Sequence, residues 1–141
     1  MPRKPKSTPK LVAEAAELTQ KLVRMKAANQ FGIAQCVSCG SFNDYKKMDG
    51  GHFIGRKYAF HKLREENIHP QCKQCNRFLS GCHDDYRRYM VDMYGEEFVD
   101  WLTETKWTIV KWDRVELASQ IKELKQRIKD QEARLSGVQN K

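Results

Sequence analysis

At 141 residues the chain has room for one domain, or one small domain with helical extensions. Lys and Arg number 26 against 18 Asp and Glu, and the formal charge of +8 favours a polyanionic partner, because each neutralised phosphate releases condensed counterions. The composition excludes a membrane-spanning helix, since no run of about eighteen apolar residues occurs.

The N-terminus, MPRKPKSTPK, is basic and proline-containing with no apolar stretch behind it, and reads as a flexible arm over residues 1–9 rather than a secretory signal. Leu11, Ala15, Leu18, Leu22 and Met25 then recur at alternating steps of four and three, which predicts an amphipathic helix within residues 10–30, ending near Asn29 to Gly32. From Cys36 to Cys75 the helical period disappears. Glycines at 40, 50, 51 and 55 among four cysteines and three histidines predict loops and a short hairpin organised by metal. Helix resumes after Gly81 through Tyr86, Tyr89, Met90 and Met93, with Gly95 as its stop, and a second short helix carries Phe98, Val99, Trp101 and Leu102. Residues 107–112, WTIVKW, form an extended link with two aromatics. A long charged helix over 113–141 carries Leu117, Ile121, Leu124, Ile128 and Leu135 in a coiled-coil-like pattern that Gln131 interrupts. Each terminal helix thus has one apolar stripe. The two stripes can pair with each other, join two chains into a homodimer, or pack on the central region.

Cys36-Val37-Ser38-Cys39 and Cys72-Lys73-Gln74-Cys75 are two Cys-x-x-Cys turns separated by 32 residues. Five cysteines without an export signal point to reduced thiols in a cytoplasmic protein, with metal binding preferred over disulfides. Four thiolates in two tight turns suit a closed tetrahedral Zn²⁺ site held by Cys36, Cys39, Cys72 and Cys75, structural rather than catalytic. Cys82, the odd thiol, reads as a small buried hydrophobe at a helix start.

That zinc site leaves Asp49, His52, Asn67, His69 and Asn76 without a purpose. Asp49-Gly50-Gly51-His52 places a histidine on a glycine-loosened turn entering a strand, and Asn67 and Asn76 bracket the second cysteine pair. The two cysteine turns can hold His52, Asn67 and Asn76 close together. On residue chemistry alone an asparagine beside such a turn also serves as a helix cap. His69 fits a core position, a phosphate contact or a metal ligand, whereas His61 and His83 belong to no motif and read as surface residues.

These residues together resemble a known family. Histidine, then asparagine, then an asparagine adjoining the second Cys-x-x-Cys is the pattern of HNH (ββα-metal) nucleases such as phage endonuclease VII. The resemblance is tighter to the NinG (Rap) recombination endonucleases of lambdoid phages. It rests on Cys36 to Gly40, Asp49 to His52, Asn67 to Asn76, Ser80-Gly81, Tyr86-Arg87 and Trp107 to Ile109. Gly51 departs from the HNH pattern, which often has an acidic residue there, and Asp49 is the nearest acid. Leu79 and Cys82 depart from residues frequent in the family.

The resemblance implies a small α+β fold, a zinc-stabilised ββα-metal (HNH-like) core over residues 31–112, with mostly helical extensions on either side. It implies a metal-dependent endonuclease that hydrolyses phosphodiester bonds in branched DNA, Holliday junctions or displacement loops, in phage recombination. In that scheme His52 is the general base, and Asn76 with Asp49 holds a catalytic Mg²⁺ or Mn²⁺, because hard cations take oxygen ligands. Asn67 orients His52 or holds a backbone carbonyl. Arg56, Lys57, Lys73 and Arg77 cluster around the site in sequence and suit phosphate contacts. Paired cuts across a junction suit a symmetric dimer, for which the terminal helices offer a surface. The other classes open to this sequence are a non-catalytic zinc-binding nucleic-acid module and a metal-dependent RNA nuclease.

Overall fold

The computed structural model describes residues 4–79 and 82–137. The first three residues of the arm, the Ser80-Gly81 pair and residues 138–141 of the last segment lie outside them.

Helix α1 spans Thr8–Ala27 and starts ahead of Leu11, where its apolar pattern begins, because Ser7 caps it by accepting from the Lys10 amide at 3.4 Å. Pro9 sits in the first turn, where its missing N–H leaves no gap in the helix. Helix α4 spans Arg114–Gly137 and starts on Asp113, whose carboxylate accepts from the Val115 and Glu116 amides. The two stripes face each other within the chain: Ala15, Leu22 and Met25 pack with Ile121, Leu124 and Ile128 in one buried cluster. Polar ties reinforce the pairing. The Arg134 guanidinium donates to the Met25 and Ala28 carbonyls at the end of α1, while Arg127 forks onto Glu65, which also binds Lys26. Direct hydrogen bonds from Arg127 and Lys26 outweigh the burial that opposes them and pull the Glu65 carboxyl down to about 2. Within one chain each stripe covers the other, the first of the three arrangements open to the sequence.

The predicted single hairpin is two separate two-stranded sheets. Strand β1 (Ile33–Gln35) pairs antiparallel with β2 (Phe42–Asp44), which frames the first cysteine turn. Strand β3 (Asp49–His52) pairs antiparallel with β4 (Ile68–Gln71), with Asp49 opposite Gln71 and His52 opposite Ile68. Asp49 to His52 is therefore strand throughout, not the turn that its glycines suggested. The glycines are explained by proximity: a Cβ on Gly50 would lie 2.7 Å from the Gln20 Cβ of α1, so that helix crosses directly over β3.

Past β4 the second cysteine turn runs into one π-helical turn, Gln74–Phe78, and then α2 (His83–Tyr94) and α3 (Glu96–Glu104). Gly95, at φ +89°, breaks the two helices apart where the sequence predicted a stop. Phe53, Ile54, Tyr86, Met90, Val99 and Leu102 form a second buried cluster that seats α2 and α3 on the start of the β3–β4 connection. No helix of the described residues is long and apolar enough to cross a membrane.

Candidate metal centre and adjoining polar site

The thiols of Cys36, Cys39, Cys72 and Cys75 all lie within 4.8 Å of one another, with Cys39 and Cys72 sulfurs 3.7 Å apart. A tetrahedral Zn²⁺ with bonds of about 2.3 Å requires sulfurs about 3.8 Å apart, so these four cysteines could hold a zinc ion. Each turn is shaped for it. The Cys39 amide points at the Cys36 sulfur and the Cys75 amide at the Cys72 sulfur, both at 3.5 Å. Gly40, at φ +79°, closes the first turn by donating to the Cys36 carbonyl. Cys36 and Cys75 are buried and Cys39 is exposed, so the site opens to solvent on one side. Cys82 is half-buried in the same apolar cluster as Cys36 and Cys75, with a left-handed backbone at φ 47°.

Beside this centre β3 carries its polar groups on alternating faces. Asp49 and Gly51 share the face of Gln71 and His69, and Gly50 and His52 share the other. An acid at 49 therefore points the same way as an acid at 51 would, one strand repeat back. Position 51 itself is closed to any side chain, because a Cβ there would collide with the Gln71 amide. Gln71, fully buried, reaches from β4 to donate to the Ser38 hydroxyl at 2.7 Å and braces the first cysteine turn.

The structure brings Asp49 and Asn76 together: the Asn76 amide donates to Asp49 Oδ2 at 3.0 Å, leaving the Asn76 carbonyl oxygen for another partner. Arg77 also forks onto Asp49, at 2.8 and 3.0 Å, so its guanidinium is committed to a carboxylate rather than to solvent. Burial raises the Asp49 carboxyl, but Arg77, Asn76 and nearby Lys73 together outweigh it and hold the group below its usual range. Arg56, Lys57 and Lys73 are exposed.

His52 ends β3 with its Nε2 on the Lys62 carbonyl at 2.9 Å. A carbonyl only accepts, so Nε2 carries the proton and Nδ1 presents a lone pair. Burial, with Arg56 and Lys62 nearby, pushes the imidazole down to about 4, and it stays neutral at physiological pH. Asn67 does not touch that ring. It is fully buried, accepts from the Ile54 amide at 2.8 Å and donates to the Ile54 and His61 carbonyls. Of its two expected roles it takes the second, holding backbone, and so fixes both ends of the loop that supplies the Lys62 carbonyl.

The family model described as "Bacteriophage Lambda NinG protein" matches residues 3–134. The chain belongs to the NinG family. Protein ninG of Escherichia phage lambda is 32% identical over 100 residues, covering 67% of this chain and 46% of the relative. Protein ninG of Salmonella phage P22 is 33% identical over 96 residues, with the same coverage of 67% and 46%. Protein ninG of Escherichia phage 933W is 33% identical over 79 residues, covering 52% of the chain and 39% of the relative. The chain thus spans about half the length of the curated relatives it matches. No solved structure matches it.

In this NinG-family chain His69 takes the core role among its three possible ones. The Tyr86 hydroxyl spends its proton on the Gly51 carbonyl at 2.7 Å, so His69 Nδ1 must donate to it, and Nε2 accepts from the Tyr94 hydroxyl at 2.8 Å. Both ring nitrogens are taken, which leaves no lone pair for a metal. His61, expected at the surface, is fully buried between the Arg64 guanidinium and the Thr105 hydroxyl. His83 is exposed as expected, and its ring stacks on Phe53 at 4.7 Å. Sequence reasoning missed Gln71, Tyr86 and the Lys62 carbonyl. Gln71 was signalled only by its place inside the Asn67–Asn76 run, and a backbone carbonyl leaves no signal at all.

His52 and His69 both sit near 4, the result of burial first in each case. Their protonation is therefore resisted in the folded chain and free in the unfolded chain below about 6.5. Stability is fully present above that pH and is lost as pH falls from about 6.5 toward 4. Urea midpoints at constant zinc content are expected to fall between pH 7 and 5.5, and to fall less in His69→Gln. A midpoint flat over this window would show that neither ring is buried neutral.

Proposed function

We propose that this chain is a metal-dependent DNA endonuclease of the HNH, ββα-metal type, acting on branched DNA such as Holliday junctions and displacement loops in phage recombination within the host cytoplasm. The observation that carries this is His52, a neutral imidazole with a determined tautomer and with Nδ1 engaged by no group among the described residues. A phosphodiester hydrolase needs such a base to take the proton of its attacking water. The chain order of β3, β4, the second cysteine turn and α2 supports the assignment, since it supplies two strands and a helix on a zinc-braced base.

Asp49 and the Asn76 carbonyl fit a hard divalent cation, which usually takes one or two carboxylates and completes its shell with water and phosphate. When bound, Mg²⁺ or Mn²⁺ would neutralise charge on the scissile phosphate and the leaving oxygen. Arg77 would have to yield its place on Asp49. Three strand steps, about 10 Å, separate Asp49 from His52. Their side chains leave opposite faces of β3, so one ion does not contact both, and cleavage requires a phosphate at the strand edge that meets both the cation on Asp49 and the water held by His52.

The Arg77–Asp49 fork also favours a second reading, a non-catalytic zinc-binding nucleic-acid module in which that pair simply fastens the π-helical turn to β3. An assay separates the two. Matched junction, duplex and single-stranded DNA are incubated with the zinc-loaded chain in Mg²⁺, Mn²⁺ or neither. Cation-dependent cutting concentrated on the junction is expected. Binding without cutting under every condition would leave the module as the function.

A further inference from the structure

The connection between β3 and β4, residues 53–67, carries more than the carbonyl that holds His52. Part of it is locked: the Arg64 guanidinium lies over Phe60 and Trp101, at 5.3 and 4.8 Å from their ring centres, and binds His61. Beside that lock Tyr58 is half-buried against the second apolar cluster, whereas Trp107 is open to solvent. Tyr58 meets Trp107 edge to face at 4.8 Å, and the Lys57 and Lys106 ammonium groups each stand 5.0 Å from the Tyr58 ring centre. Trp107 is 73% exposed, in the irregular link between α3 and α4. An indole open to water beside lysines gains little for the fold, and Trp107 belongs to none of the buried clusters.

The charge around it is equally uncommitted. Among the described residues Arg56, Lys57, Lys62 and Lys106 form no ion pair. Glu104, the acid nearest to Lys106 in sequence, forms none either. Arg56 and Lys62 stand close enough to His52 to weaken its basicity, and the Lys62 carbonyl that holds the ring belongs to the same connection as Tyr58.

We propose that Tyr58 and Trp107, with Lys57, Lys106 and Arg56, form a stacking platform for the unpaired nucleotides of a DNA branch, built in part on the connection whose Lys62 carbonyl holds His52. Duplex DNA keeps its base faces inside the stack and offers phosphates, for which lysine and arginine suffice. Unpaired nucleotides offer phosphate and an open π face together, and interleaved cations and rings match that combination. The platform deepens the nuclease proposal by naming the displaced single strand, as in a displacement loop, as the part of the substrate that is held, and it rests on that proposal only for the significance of sharing a connection with the group that holds His52.

Binding tests it without cleavage. The zinc-loaded chain, in buffer without Mg²⁺ or Mn²⁺, is titrated into fluorescein-labelled oligo(dT) of about twelve nucleotides, a blunt duplex, and the same duplex bearing a dT branch. Trp107→Ala is expected to weaken binding of the single strand and the branched duplex roughly tenfold while leaving the blunt duplex unchanged. Trp107→Phe should recover most of the loss. Lys57→Ala with Lys106→Ala should weaken all three and reduce the salt slope by about two. Trp107 is exposed, so its variants should melt with the wild type, and a matched melt confirms that they are folded. Trp107→Ala binding single strand and branch as tightly as wild type, or losing the blunt duplex equally, would overturn the platform. Failure of the nuclease proposal looks different: wild type would not cleave, or His52→Ala would cleave equally well, while the binding differences stood.

Discussion

Stripping zinc from the folded chain is expected to destroy its tertiary structure between β1 and α2. The four sulfurs come from two turns far apart in sequence, and in each turn an amide is aimed at a sulfur beside one backbone hydrogen bond that closes it. The strands they join are three or four residues long and make two separate sheets. Such short pairs do not stand alone in water. A structural zinc site contributes about 10–16 kcal/mol in small zinc modules, comparable with the whole net stability of about 5–15 kcal/mol for a domain. Chelation should therefore abolish the near-ultraviolet dichroism of the central aromatics and lower the urea midpoint sharply. Re-addition of stoichiometric zinc should restore both. Cys75→Ser, at a buried ligand, should be more damaging than Cys39→Ser at the exposed one. Unchanged near-ultraviolet dichroism after complete zinc loss, verified by metal analysis, would show that the fold does not need the ion.

His52→Ala carries the second large effect. If Nδ1 of His52 takes the proton from water, its removal should slow cleavage of a junction by about 10²–10⁴-fold, the usual contribution of a positioned base. Zinc content and junction binding should change little, because among the described residues the side-chain hydrogen bond lost is that to the Lys62 carbonyl. The imidazole sits near 4, so the wild-type rate should not fall through loss of the neutral base between pH 8 and 6. A variant that cuts at the wild-type rate would remove His52 from the chemistry. In that event the search would move to the Asp49–Asn76 pair, where Asn76→Ala separates a cation ligand from a mere tether of Asp49 by the Mg²⁺ concentration it demands.

The cluster of four cysteines was legible because Cys-x-x-Cys fixes its own local geometry, and two copies need only be brought together. The helices were legible from period, each to within about two residues. Their pairing was not, because one apolar stripe fits a partner in the same chain or another chain equally well, and only the arrangement of Ala15, Leu22 and Met25 against Ile121, Leu124 and Ile128 decides it. Asp49 to His52 was misread as a turn because glycine usually signals one, whereas here α1 and Gln71 crowd the strand from both faces and demand it. His61 was misplaced at the surface because what buries it, Arg64, Thr105 and Trp101, comes partly from a helix forty residues away. Asn67 and Asn76 stand out in the sequence, but it carries no sign that one grips the Ile54 and His61 carbonyls and the other Asp49. Arg77 reads as a phosphate contact until its guanidinium is seen on Asp49.

The clasp between α1 and α4 has a consequence for synthesis. Arg134 bonds to the Met25 carbonyl across 109 residues of sequence, and α4 supplies Ile121, Leu124 and Ile128 to the cluster that covers the α1 stripe. As a ribosome delivers the chain, α1 emerges well before α4, and until α4 follows that stripe has only the partial cover of Tyr45 and Leu63. The cysteine turns can gather an ion earlier, since Cys75 leaves the tunnel well before Arg134 does. Contacts of such long range delay the closing of the α1–α4 pair until both helices have been made.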